Sequence, residues 1–247
     1  MDNRKRSIQY CETCKVWRGS REKCEKCGNK TIKKKLPRSR GSYYFIPKVA
    51  EPMPRVTKII DVLRKPGLEY WMKKTVAESA LADPSQSVEE AMASIYAPRD
   101  KAGTKGSDVH KMIDRHCMGK GLSDSAWKNP YMQGYKKFRN TVALVAIESE
   151  KVVYSEKFGY AGTADLIAEM ADGRKMLLDW KTSSGIYDNY FIQLSAYKNA
   201  YEEMTGEKLD GIAVVRFDEN GNFEYREGED IFPVFEACLT IYNWNNK

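Results

Sequence analysis

The sequence predicts a mixed α/β domain in which helices come first, a central sheet follows, and a small cysteine-bound module precedes both. Three observations carry this. Apolar residues recur at helical spacing up to about residue 149, strand-like alternation begins at Val152, and four cysteines cluster before residue 30. A chain of 247 residues with 42% hydrophobic content can bury one large core and carry one appendage. No stretch approaches the ~20 apolar residues of a membrane span, and "MDNRKRSIQY" lacks the apolar segment of a secretory signal, so no membrane contact and a cytoplasmic location are expected.

"CETCKVWRGSREKCEKCG" sets Cys11, Cys14, Cys24 and Cys27 as two C-x-x-C pairs separated by nine residues. Each pair makes a tight turn that presents two thiolates to one tetrahedral Zn²⁺, and Gly28 suits the turn after the second pair. The expected zinc is structural, because residues 1–29 are too few for a core of their own. Paired disulfides do not suit a reducing compartment, and an iron–sulfur cluster is the remaining alternative. Cys117 and Cys238 lack such company and read as ordinary buried thiols. A basic segment punctuated by Pro and Gly, residues 30–42, reads as a linker, leaving residues 43–247 as the main domain. Residues 1–40 hold 14 Lys and Arg against 4 Asp and Glu, a charge of +10, whereas the other 207 residues carry −3. A basic arm on a mildly acidic body fits a polyanion, with nucleic acid first in line; the alternative is a solvated tail.

Within the main domain, Ile59, Ile60 and Leu63 mark a first helix, Pro66-Gly67 a break, and the residues through Trp71 a second helix. Further helices are expected at about 87–96, 106–118 and 131–149. Strands are expected at "KVVYSEKFGY", "GTADLIAEM" and "MLLDWKT", with a turn at "ADGRK". A helix over 189–205, a strand "LDGIAVVRF", a turn at Asn220-Gly221, a strand "NFEYREG" and a last helix from Pro233 complete the domain.

On the strand "MLLDWKT", Asp179 and Lys181 share one face and Trp180 takes the other. Asp165 precedes the "ADGRK" turn by a comparable distance, so hairpin pairing brings it to the same spot. Two buried carboxylates repel and lose several kcal/mol each in hydration, which one lysine offsets only in part. A divalent cation resolves the conflict. Hard oxygen donors with open positions suit Mg²⁺ or Mn²⁺ holding a phosphate, which points to phosphodiester hydrolysis with Lys181 stabilising charge on the phosphate or positioning water. The alternative is an ion pair at the rim of the sheet. His110 lies at the margin of the stripe Val109, Met112, Ile113 and Cys117; alone it reads as an ordinary histidine, as does His116.

"GTAD", "LLDWKT" and "QLSAY" resemble the G-x-x-D, D-x-K and Q-x-x-x-Y motifs of the PD-(D/E)XK nuclease superfamily, in its RecB-like branch. "GSDVHKMID" is similar to that branch's G-x-x-x-H-x-x-x-E motif, and "PRVTKIIDVLRKPGLEYW" resembles the entry segment of stand-alone members such as mitochondrial genome-maintenance and phage RecB-like exonucleases. The resemblance covers about residues 54–201, in order. It implies a restriction-endonuclease-like mixed sheet flanked by helices. It implies that His110, Asp165 and Asp179 ligate the metal with the backbone carbonyl of Trp180, and that Lys181 is the catalytic lysine. Gln193 and Tyr197, at i and i+4 on one helix face, are implied to face the active site and the DNA backbone. Asp114 replaces the usual Glu, and its shorter reach implies contact with a ligand rather than with the metal. Glu156 stands about where relatives carry an acid before the G-x-x-D strand. Relatives with iron–sulfur clusters split their cysteines across both ends of the nuclease domain; here all four clustered cysteines precede it, which favours a zinc ribbon.

The implied activity is a Mg²⁺- or Mn²⁺-dependent DNA exonuclease acting on single strands or DNA ends in replication, recombination or repair. No Walker motif is present, so unwinding would come from elsewhere. The helices before His110 are the expected arch over a threaded strand, with Trp71, Tyr131 and Tyr135 available to stack on bases. The ribbon and linker are expected to clamp DNA or dock on a replication or recombination protein. A structure-specific endonuclease of the same fold and a non-catalytic nucleic-acid-binding ribbon protein are the rival readings. A compact stand-alone enzyme with a fused ribbon suits a bacteriophage.

Overall fold

The computed structural model describes residues 51–246 throughout and, before them, residues 7–11, 13, 14, 16, 17, 23, 27–30, 32–35, 43–46 and 49. Three short strands, β1 (Ser7–Cys11), β2 (Val16–Trp17) and β3 (Ile32–Lys35), form an antiparallel sheet in the order β2-β1-β3. β4 (Tyr43–Tyr44) pairs with β5 (Met53–Pro54).

Six helices follow: α1 (Val56–Ile60), α2 (Pro66–Ala82), α3 (Val88–Ala93), α4 (Tyr96–Cys117), α5 (Asp124–Trp127) and α6 (Pro130–Thr141). Their starts have local causes. Pro66 occupies the first turn of α2, where a missing N–H costs nothing, so the Pro66-Gly67 pair opens this helix after a gap rather than only ending the previous one. Ser87 and Glu90 form a reciprocal capping box on α3. Asn129 caps α6, its side chain accepting from the Tyr131 N–H at 3.0 Å.

The remaining elements are β6 (Leu144–Ser155), β7 (Tyr160–Met170), β8 (Lys175–Lys181), α7 (Asn189–Thr205), β9 (Gly211–Phe217), β10 (Phe223–Gly228) and α8 (Phe232–Asn245). The sheet order is β10-β9-β8-β7-β6. Only β8 and β9 run parallel, and α7 makes the crossover between them. This is a mixed, five-stranded sheet flanked by helices, in line with the mixed α/β domain that the patterning predicts. One face packs against α1, α7 and α8 through residues such as Ile59, Leu194, Tyr201 and Phe235. The other packs against α4 and α6, where Trp180, Tyr135, Phe138 and Phe217 meet edge to face or tilted.

Three boundaries differ from the sequence expectations. α4 begins at Tyr96, ten residues before the expected start, and carries Gly103 and Gly106 inside it. The helix expected over 131–149 ends at Thr141: Val142 is already extended, and pairing with β7 draws 144–149 into the sheet. "KVVYSEKFGY" is not one strand, because it folds back at Glu156–Gly159. Gly159 takes φ +71°, and Ser155 accepts the Phe158 N–H at 3.0 Å. Short apolar runs fit either period, and the neighbouring strand decides.

Candidate metal centre

Antiparallel pairing of β7 with β8 runs from Glu169↔Lys175 to Leu166↔Leu178 and ends there. Past that point β7 stays on β6 as far as Tyr160↔Ser155, and β8 stays on β9 as far as Lys181↔Arg216. Asp165 and Asp179 are the first residues beyond the last pair, one on each arm of the fork. Asp165 takes up a backbone donor at the fork, its Oδ2 accepting from the Trp180 N–H at 2.8 Å.

Alternation along β8 sends Met176, Leu178 and Trp180 into the α4/α6 layer and Leu177 into the α7 layer, so Asp179 and Lys181 project toward α7. There Gln193 Nε2 donates to Asp179 Oδ1 at 3.3 Å and to the Tyr197 hydroxyl at 3.0 Å. From the opposite layer, His110 on α4 brings Nδ1 to 3.4 Å from Asp165 Oδ1. A fully zipped ladder would separate the two helical layers; at the fork α4 reaches Asp165 and α7 reaches Asp179. Lys181 ion-pairs with Asp179 Oδ2, and its Nζ lies 4.8 Å from the centre of the Tyr190 ring.

The two carboxylates are 8% and 2% exposed, and their titration differs accordingly. Burial pushes Asp179 up; Lys181 pulls it back and the Asp165 charge pushes it up again, leaving it at about 6. Asp165 is equally buried, yet the His110 charge and hydrogen bond, then Lys181, hold it below the usual carboxylate range. Burial acts to lower His110 and Lys181, but the neighbouring carboxylates outweigh it and raise both. Asp114, one turn after His110, has a buried Oδ1 that accepts no hydrogen bond among the described residues. An acceptor left so costs about 1–3 kcal/mol. Two acids forced together, a histidine and an orphaned carboxylate oxygen one turn away fit a hard divalent cation. The ligand atoms that gather closely enough for one such ion come from His110, Asp165 and a third acid, Glu150, while Asp179 lies outside that group.

Sequence reading missed Glu150. Ser149 pairs with Leu166 and Lys151 with Ala164, which places Glu150 opposite Asp165. One ligand atom from each of His110, Glu150 and Asp165 lies within 4.8 Å of the others. Glu150 is the one non-glycine residue with positive φ, +50°, among those described, and burial followed by the Asp165 charge raises its pKa. The acids in "IESEK" were the available signal, but the strand was expected to start after them. Glu156, expected near this position, lies exposed in the β6–β7 turn and does not join the group.

Other expected residues also move to different roles. Gln193 and Tyr197 reach the site, but at 9% and 5% exposure they back Asp179 rather than present a surface to DNA. Tyr131 and Tyr135 are buried in the α4/α6 core and cannot stack on bases. Trp71 is half-buried, whereas Tyr70 and Tyr96 are exposed on α2 and α4. His116 is structural, with Nδ1 2.9 Å from the Tyr135 hydroxyl. Cys238 is buried and Cys117 half-buried, 3.6 Å from the same hydroxyl.

In the N-terminal sheet, sulfur atoms of Cys11, Cys14 and Cys27 gather within 4.8 Å of one another, and those of Cys11 and Cys27 are 3.5 Å apart. Tetrahedral Zn–S bonds of 2.3 Å put sulfurs about 3.8 Å apart, so the spacing fits such an ion. Gly28 takes φ +72° just after the cluster, as the turn requires. Cys24 lies outside the described residues.

No protein-family model matches this chain, and no curated protein matches it. Solved structures similar to it include the following two. SSO0001 aligns with 14% identity and a TM-score of 0.34, over 72% of this chain and 84% of its own. A "Putative exonuclease" from Eubacterium rectale aligns with 14% identity and a TM-score of 0.37, over 57% of this chain and 64% of its own.

Two substitutions probe the geometry. A Cβ on Gly162 would lie 2.1 Å from Tyr197 Cε1, so Gly162→Ala is expected to push the ring off β7 and destabilise the fold by about 1–3 kcal/mol, read by denaturant unfolding. A midpoint equal to wild type would show that the ring has room to move. Glu150→Gly removes both a left-handed side chain and a charge facing Asp165. The metal-free chain is expected to gain about 1 kcal/mol while Mn²⁺ binds more weakly by calorimetry. Equal Mn²⁺ affinity would remove Glu150 from the site.

Proposed function

We propose that this chain is a Mg²⁺- or Mn²⁺-dependent DNA exonuclease that hydrolyses phosphodiester bonds of single strands or DNA ends in replication, recombination or repair. The observation that carries the reading is the fork. Asp165, Asp179, Lys181 and His110 converge there, and Asp179 is held at about 6 by an environment that disfavours its charge without a cation. The order of the motifs, "GSDVHKMID", "GTAD", "LLDWKT" and "QLSAY", supports the same reading as a RecB-like member of the PD-(D/E)XK superfamily.

When bound, the cation polarises the scissile phosphate and lowers the pKa of an attacking water. The chain's own residues do the rest. Asp165, held by the Trp180 N–H, and Asp179, held by Gln193, are acids that would hold the cation and so orient a phosphate beside Lys181. Lys181 stays protonated, because the two carboxylates raise its pKa, and it offers a charged donor to the phosphate oxygen on which negative charge develops. Tyr197, whose pKa burial pushes far up, keeps its proton and accepts from Gln193, which holds the amide on Asp179.

Labelled DNA tests the reading. Linear single- and double-stranded substrates marked at the 5′ or 3′ end should shorten from an end with Mg²⁺ or Mn²⁺ and stay intact with chelator, while closed circles should persist. Cutting of a closed circle would convert the assignment to an endonuclease. Intact linear DNA with both metals would overturn it.

A further inference from the structure

The segment that joins β8 to α7 leaves the fork directly after Lys181 and reads Thr182-Ser183-Ser184-Gly185-Ile186-Tyr187-Asp188. Small polar residues of this kind usually make a mobile loop, but here polar contacts hold it along its length. Arg216 donates to the Ser183 carbonyl at 3.2 Å, Ser183 Oγ donates to the Gly185 carbonyl at 2.8 Å, and Arg226 pairs with Asp188 at 2.7 Å. Ile186 packs against the core on the α7 side of the sheet, whereas Tyr187 beside it is 49% exposed.

Tyr187 is exposed but held. Its hydroxyl shares a hydrogen bond with Ser184 Oγ at 2.7 Å, and its ring meets that of Tyr190 edge to face, with centres 5.7 Å apart. The Tyr190 ring in turn lies 4.8 Å from Lys181 Nζ. Two ring contacts therefore separate the ammonium from an exposed aromatic ring. Single exposed apolar side chains are common on any surface, and Tyr70, Tyr96 and Trp244 are others. Among the described residues Tyr187 differs from those three in being tied, through Tyr190, to a residue of the fork. A ring fixed in this way loses little freedom when a planar partner is laid on it, and base–aromatic stacking is the sequence-tolerant contact that a single strand offers.

We propose that Tyr187 is the platform on which a base next to the scissile phosphate stacks, and that the substrate is a strand left unpaired at that point. The inference rests on the proposed function and names its substrate class. With the phosphate at Lys181, the two short contacts leading to Tyr187 place the stacked base on the same nucleotide or on its neighbour. Both faces of a base inside a duplex are covered by its neighbours, so the ring serves only a strand that is open where it enters. Tyr131 and Tyr135 are buried, which leaves this task to a residue that no motif marks.

The test uses the full chain with Ca²⁺ in place of Mg²⁺. Anisotropy gives Kd for fluorescein-labelled probes of equal length: an oligo-dA strand, a strand of abasic sugar phosphates, and a blunt dA·dT duplex. Tyr187→Ala is expected to weaken binding of the dA strand by on the order of 10-fold, to leave the abasic strand unchanged, and to cost the duplex less than the single strand. Tyr187→Phe keeps the ring and is expected to bind all of them as wild type does. Equal loss on the dA and abasic strands, or no loss on either, would overturn the platform, and equal loss on single strand and duplex would overturn its restriction to unpaired bases. Should Tyr187→Ala prove unfolded by circular dichroism, Tyr187→Leu decides by the same comparison. Base-dependent binding by a chain that cuts no DNA with either metal supports the platform and overturns the catalytic reading, whereas cutting by a chain whose binding ignores the base overturns the platform alone.

Discussion

Lys181→Met is expected to lower phosphodiester turnover by on the order of 10³-fold while Mn²⁺ binding at pH 8 stays within about tenfold of wild type. The side chain is 17% exposed, and its ammonium is held between the Asp179 carboxylate and the Tyr190 ring. It is therefore a placed charge, and removing it costs the stabilisation of an oxyanion that exists only in the transition state. Methionine keeps the apolar stem and removes only the charge. The variant also deprives Asp179 of the cation that lowers its pKa, so metal loading must be compared at a pH where Asp179 is ionised in both proteins. Single-turnover cleavage with metal saturating separates the two effects. Cleavage within tenfold of wild type would remove Lys181 from the chemistry.

Metal affinity should depend steeply on pH. With Asp179 at about 6, the metal-free folded chain keeps a proton that the unfolded chain has already released. Between about pH 4 and 6 the native state thus binds more protons, and this group's contribution to stability falls as pH rises. The cation requires the ionised form, so its affinity moves the other way. Mn²⁺ binding is expected to strengthen with pH through about 6 as Asp179 ionises, and to flatten only at higher pH, once His110 has also lost its proton. His110 must also give up a proton to ligate, and its raised pKa steepens the dependence. Calorimetric titration with Mn²⁺ from pH 5 to 8 measures this directly, with Asp179→Asn as the control that should make the profile shallower below about pH 6 and leave the His110 part. A flat wild-type profile would place the cation elsewhere.

Much of the site was legible because its parts are local in the chain. Asp179, Trp180 and Lys181 lie on one strand, and period-two alternation alone puts the acid and the lysine on one face. Gln193 and Tyr197 are one helical turn apart, and they do share a hydrogen bond. Asp165 was reachable by counting outward from a turn, and the register obeys that count. Glu150 was not legible, because its place opposite Asp165 depends on β6 extending back past Val152 and on the turn at 156–159 that sets the register of β6 against β7. Neither is encoded in a window of a few residues. Glu156 was brought in only by the resemblance, whereas the chain turns there and leaves it in solvent.

Sequence by itself determined which side chains are on offer: two C-x-x-C pairs, an acid and a lysine spaced for one strand face, a histidine on a helix, and a charge concentrated in the first 40 residues. These follow from residue type and short-range periodicity, which the backbone's two regular geometries impose wherever they occur. Only the tertiary structure decided that β7 and β8 part at Asp165 and Asp179, that α4 and α7 meet there from opposite layers, and that Tyr131 and Tyr135 are buried rather than offered to a base. Those outcomes depend on which strands keep their partners and which faces the core consumes. Competition among distant segments for the same hydrogen bonds and the same apolar surface settles them, and no local stretch of chain contains that information.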